Sequence, residues 1–154
     1  MKDDQSSADN DRMIWKWLRG AATTKGEYGN PPTTDSYTLC IYDDGALVAS
    51  ATAEHGGSCD GKPCWSESPT GFGYKDKDVD PFGVQKIKLQ AGTDGAAKIL
   101  FKGKGPSLEM PSLGSLTGPI TVQMIMTAGA PCWGATYSAP FLRQSSTVFK
   151  DRGD

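Results

Sequence analysis

The sequence predicts an all-β protein, an antiparallel β-sandwich of Ig-like or jelly-roll type with about eight strands and disulfide staples. Three observations predict it. Apolar and polar residues alternate at period two in short runs, as in Lys86-Ile87-Lys88-Leu89 and Ala97-Lys98-Ile99-Leu100-Phe101-Lys102. Turn formers are dense, with 19 Gly and 10 Pro in 154 residues, so the elements must be short. Nowhere does a long run carry the apolar spacing of a helix.

Each element follows from its local chemistry. Met13-Ile14-Trp15-Lys16-Trp17-Leu18 is an aromatic-rich run that stops at Arg19-Gly20, and Ser36 to Tyr42 follows a loop holding Gly26, Gly29 and Pro31-Pro32; both predict strands. Asp43-Asp44-Gly45 separates that second run from Ala46 to Thr52, and Asp-Gly between apolar runs predicts a hairpin. The segment from His55 to Thr70 is a loop rich in Gly, Ser and Pro, and Gly71-Phe72-Gly73-Tyr74 is a short strand. Ile87 and Leu89 then pair with Ala97, Ile99 and Phe101 through Gly92-Thr93-Asp94-Gly95, with the intervening lysines toward water. Pro106 to Pro119 is a long connection lying across sheet edges. Ile120, Val122, Met124 and Met126 share one strand face, as do Trp133, Ala135 and Tyr137, while Phe141 to Phe149 has room for at most a short helix. Residues 1–11 are predicted as a flexible acidic arm or an incomplete first strand, and 12–154 as a single domain.

Bulk composition narrows the function classes. Hydrophobic residues at 37%, charged residues at 22% and a mean hydropathy of -0.44 describe a soluble globule, with no stretch long enough for membrane insertion. Sixteen basic and 18 acidic residues leave a net charge of -2, which supplies no overall field to gather nucleic acid or anionic lipid. The acidic, polar start lacks the basic end and apolar run of a signal peptide, so a secreted protein would here be seen in mature or excised form.

Four cysteines, Cys40, Cys59, Cys64 and Cys132, allow three pairings. Asp60-Gly61 and Pro63 turn the chain between Cys59 and Cys64, which favours that bridge and leaves Cys40 for Cys132. On chain entropy the short loop contributes about 2 kcal/mol and the long one about 4.5 kcal/mol. Zinc is disfavoured because no C-x2-C pair occurs, and a buried thiol remains open for Cys40 within its apolar run.

Several segments carry a resemblance: Ile14-Trp15-Lys16-Trp17, Leu39-Cys40-Ile41-Tyr42-Asp43, Gly61-Lys62-Pro63-Cys64-Trp65, Gly71-Phe72-Gly73-Tyr74-Lys75-Asp76-Lys77, Lys102-Gly103-Lys104-Gly105 and Cys132-Trp133-Gly134-Ala135-Thr136-Tyr137-Ser138. Across roughly residues 12 to 154 they resemble a β-rich module of large predicted secreted and cell-surface proteins of environmental bacteria, a module of no assigned activity. The resemblance implies secretion and a modular role within a longer chain, and it transfers no catalytic residue.

Asp76, Asp78 and Asp80 form D-x-D-x-D, a spacing that can turn three carboxylates toward one hard cation, so calcium is the one cofactor the sequence offers. Against it, Pro81 stands where an EF-hand loop has Gly and Ile87 where it has Glu, and a solvated turn balanced by Lys75 and Lys77 is the simpler account. Trp15 and Trp17 share one strand face with Met13. If Ile14 and Leu18 faced inward, the two indoles would make a ligand platform for sugar rings; the usual burial of aromatics favours the opposite, with both under the 106–119 connection. Trp65 and Trp133, each following a cysteine, are expected to pack on disulfides. The lone histidine, His55, sits in Glu54-His55-Gly56-Gly57, a turn ill suited to a rigid base, and no nucleophile, phosphate or zinc motif occurs, so no catalytic residue and no enzyme is expected. Arg152-Gly153-Asp154 is read as a chance match in a terminal tail.

The expected function is therefore a structural or binding module of a secreted or cell-surface bacterial protein, without catalysis, recognising a protein or polysaccharide surface. The alternatives are a calcium-supported carbohydrate-binding domain using Trp15, Trp17 and the three aspartates, a self-assembling filament or array subunit, and a hydrolase. Nucleic acid is not an expected partner.

Overall fold

The computed structural model describes residues 1–129 and 131–153, so Arg152-Gly153-Asp154 falls partly outside the described residues. Nearly half of the chain, 48%, is strand, and the sheets are antiparallel. The strands are β1 (Arg12–Gly20), β2 (Tyr37–Asp43), β3 (Ala46–Ala53), β4 (Ser58–Cys59), β5 (Lys62–Pro63), β6 (Trp65–Ser68), β7 (Gly71–Lys75), β8 (Val84–Gln90), β9 (Ala97–Lys104), β10 (Ile120–Met126), β11 (Cys132–Tyr137), β12 (Arg143–Gln144) and β13 (Phe149–Lys150). A five-stranded sheet runs β1-β9-β8-β7-β6, and a four-stranded sheet runs β11-β10-β2-β3. β4 with β5 and β12 with β13 form two short ribbons.

Period-two burial places the core between the sheets. Ile87, Leu89, Ile99 and Phe101 from the first sheet meet Leu39, Ile41, Ile120 and Met124 from the second, each at most 2% exposed. The β2–β3 hairpin turns through Asp44 and Gly45 at φ 48° and 81°, the positive values a two-residue turn of this hand requires. The 106–119 connection crosses from β9 in one sheet to β10 in the other and buries Leu108, Leu113 and Leu116 on the way.

Three expectations are corrected. Of the two readings of residues 1–11, the flexible arm is overturned: Lys2 bridges to both Arg12 and Val148, and the Met1 amine donates to the Phe149 carbonyl at 2.7 Å. The segment 141–149, given room for at most a short helix, is consistent with that limit and supplies β12 and the start of β13. The loop 55–70 contains three short strands, β4, β5 and β6, which its Ser and Gly content hid. The third concerns one of the two bridges. Cys59 and Cys64 are joined, with Cα atoms 4.9 Å apart, whereas Cys40 and Cys132 are free thiols. β10 lies between their strands, Gln123 opposing both Cys40 and Gly134 while Ile125 opposes Cys132. Two strand spacings and a two-residue offset separate the Cα atoms by roughly 12 Å, beyond the ~7 Å a disulfide can span.

Candidate functional site

The tryptophan platform is overturned by strand orientation. Met13 and Trp15 face the core at 2% and 5% exposure, while Ile14 and Leu18 on the opposite face are 52% and 56% exposed. Trp15 lies between the sheets with its Nε1 donating to the Tyr137 hydroxyl at 3.0 Å. Trp17 is half-buried over Gly20, where an added Cβ would sit 1.9 Å from the indole. Trp133 stacks near Tyr28 and Tyr37, at ring separations of 5.0 and 6.3 Å, instead of on a disulfide. That aromatic group is dry: burial raises the Tyr28 hydroxyl to about 12 and holds that of Tyr37 far above its usual range.

Asp76, Asp78 and Asp80 do line a common cleft, of about 280 Å³, beside the Cys59–Cys64 bridge and Glu54. Asp76 is buried and its Oδ1 accepts the Asp78 backbone N–H at 3.0 Å, so this carboxylate closes its own turn. Asp78 and Asp80 are exposed. Lys77, between Asp76 and Asp78 in sequence, pairs with Asp60. Among the described residues no group of three or more His, Cys, Asp or Glu is arranged to hold a metal ion.

His55 lies near a hydroxyl and a carboxylate in a pattern the sequence did not suggest. Its Nδ1 is 3.2 Å from the Ser36 Oγ, and that hydroxyl donates to Glu54 at 2.8 Å. The Ser36 Oγ also accepts the His55 backbone N–H at 3.0 Å. In a hydrolytic triad the carboxylate orients the imidazole and the imidazole faces the hydroxyl. Here the carboxylate accepts the hydroxyl's hydrogen bond directly instead of orienting the imidazole, all three groups are exposed or nearly so, and the contacts tie a loop to the start of β2.

A concavity between the sheets was not legible in the sequence. A cleft of about 390 Å³ opens between the sheets where β1 ends the five-stranded sheet and β11 ends the four-stranded one. Leu39, Ile41, Ile120 and Val122 form one wall, and Met13 and Trp15 the other. Among the described residues, the exposed Lys2, Arg12 and Lys150 line it with Asp151 as the one carboxylate. Tyr137 projects into the cleft; its oxygen already accepts from Trp15, and desolvation raises its hydroxyl above the usual range, so it stays a neutral donor. Residues from both ends of the chain and from five strands meet here, a convergence no local window of sequence contains. The arrangement suits a small apolar body with an anionic head: burial for the first, a phenol O–H and cations for the second.

Compared with known proteins, the chain matches no family model, no curated protein and no solved structure.

Proposed function

We propose that this chain is a non-catalytic binding module of a secreted or cell-surface bacterial protein, built as a sandwich of the Ig-like or jelly-roll kind, and that its ligand is a small amphipathic acid held in the cleft between the sheets. The observation that carries it is the cleft itself, apolar inside, cationic at the mouth and of a size within the usual range for small-molecule sites. The Cys59–Cys64 bridge is compatible with an oxidising compartment, and no helix among the described residues is long and apolar enough to cross a membrane.

The test is a titration with decanoate, decanol and decyltrimethylammonium below their micellar concentrations, read by tryptophan fluorescence and calorimetry. Saturable, equimolar binding is expected for decanoate, weaker binding for the alcohol and none for the cation. Val122→Phe, which fills the cleft, abolishes binding, while Tyr137→Phe and Lys150→Gln each weaken it by about tenfold, the loss of one charge-assisted hydrogen bond. Equal affinity for anion and cation, or a Val122→Phe protein that folds and binds unchanged, would overturn the assignment.

A further inference from the structure

The outer face of the five-stranded sheet concentrates charge of one sign. Residues there alternate with the buried ones, so β1 contributes Arg12 and Lys16, and β7 contributes Lys75. β8 adds Lys86 and Lys88, and β9 adds Lys98, Lys102 and Lys104. These are half of the chain's 16 basic residues, and no Asp or Glu shares that strand face. The two ion pairs found among the described residues, Lys25 with Glu67 and Lys77 with Asp60, involve none of them. The four-stranded sheet, by contrast, turns Thr38, Ser50, Thr52, Thr121, Gln123 and Thr136 outward, without a charged side chain.

Register makes the concentration costly to the free protein. Lys86 stands opposite Lys75 on one side and Lys102 on the other, and Arg12 stands opposite Lys104. Neighbouring strands are about 4.8 Å apart, and like charges directly opposed destabilise a sheet. A lysine face kept only for solubility needs neither one sign nor this alignment, because interspersed charges serve equally well and attract each other.

Three features select the partner. The cations cover the face in two dimensions, across four strands and along β1, β8 and β9, whereas a linear polyanion would follow one track. Ile14 and Leu18 stand exposed in the same plane, at 52% and 56%, with Leu100 between β1 and β8. No aromatic ring lies on this face, so it offers no platform for stacking sugars or bases. We infer that the outer face of the five-stranded sheet docks on an anionic lipid surface, its lysines at the headgroups and Ile14 and Leu18 in the interfacial layer. The near-zero net charge hides this field because most carboxylates lie in loops and toward the chain ends, off this strand face. The surface shares Arg12 and Ile14 with the cleft lining, and it does not depend on a ligand there.

Vesicle co-sedimentation of the full chain tests it, with phosphatidylcholine vesicles compared with equal mixtures of phosphatidylcholine and phosphatidylglycerol. Binding to the anionic vesicles alone, falling as salt is raised, is expected. Each cation near such a surface changes partitioning by about fivefold, so the combined variant Lys86→Gln, Lys88→Gln and Lys102→Gln should bind about a hundredfold more weakly. Removing mutually repelling lysines leaves the fold intact, which a thermal melt checks. The combined variant Lys62→Gln, Arg143→Gln and Arg152→Gln, off this face, should lose far less, and Ile14→Ser should weaken binding without changing its salt dependence. Equal losses from the two triple variants, or equal binding to neutral vesicles, would refute the docking surface. Tighter binding to heparin or duplex DNA than to anionic vesicles would refute the lipid and assign the face to a linear polyanion.

Discussion

The thiol count of the oxidised protein discriminates between two incompatible arrangements of β2, β10 and β11. With Cys59 bridged to Cys64 and the other two cysteines free, oxidised protein unfolded in guanidinium without reductant should release two titratable thiols, and reduced protein four. In the native state Cys132 is exposed and reacts at once with an aromatic disulfide reagent. Cys40 is only 8% exposed and desolvation holds its thiol above the usual range, so its reaction should be slower by about tenfold or more. Reduction opens one loop of sequence separation 5, which on chain entropy costs about 2 kcal/mol, or a fall in Tm of about 4–8 °C. A second bridge between residues 40 and 132 would add about 4.5 kcal/mol to that loss. The assay is spectrophotometric thiol titration paired with melts in the presence and absence of reductant. No free thiol in the unfolded oxidised protein would refute the reasoning, because Cys40 and Cys132 could then not lie on opposite sides of β10.

The remaining predictions follow from burial and register. Ile99→Ala should cost about 2–5 kcal/mol, against less than about 1 kcal/mol for Ile14→Ala, since the first residue is 0% and the second 52% exposed on neighbouring strands; equal costs in urea unfolding would mean the faces are assigned wrongly. Tyr28 and Tyr74 have hydroxyls raised by burial to about 12 from an ordinary 10.0, so they favour the folded state fully below pH 10. That contribution disappears as pH rises from 10 toward 12, and a stability flat across this window would contradict their burial. Calcium in millimolar excess over EDTA should leave Tm unchanged, because the Asp76 carboxylate is engaged in its own turn and no third ligand converges. A clear upward shift would reinstate Asp76, Asp78 and Asp80 as a cation site.

Local patterns in this chain were sufficient for the elements and insufficient for their partners. The alternation in 86–89 and 97–102 reports which side chains face water, because strand geometry sends successive residues to opposite faces whatever the sheet around them. Asp44-Gly45 reports its turn for the same reason: the required positive φ values are a local property. The Cys59–Cys64 bridge needs only the turn between its cysteines. By contrast, β6 escaped notice because it presents one inward side chain, Trp65, followed by Ser66, Glu67 and Ser68, too short a run for periodicity to register.

Everything that decides a site required the third dimension. Whether Trp15 or Ile14 faced the core depended on which side of β1 the second sheet lay, and a strand pattern with apolar residues on both faces cannot say. The separation of Cys40 from Cys132 depended on β10 entering between them. The cleft joins Met13, Ile41, Val122 and Tyr137 with both termini, residues whose proximity arises only when two sheets close unevenly at one edge. Net charge is a sum over the chain, and a sum of -2 says nothing of where its members stand. Strand alternation fixed which lysines turn outward, and sheet order then brought four strands of them onto one face, because register between strands is set by hydrogen bonding and core packing rather than by the charges themselves.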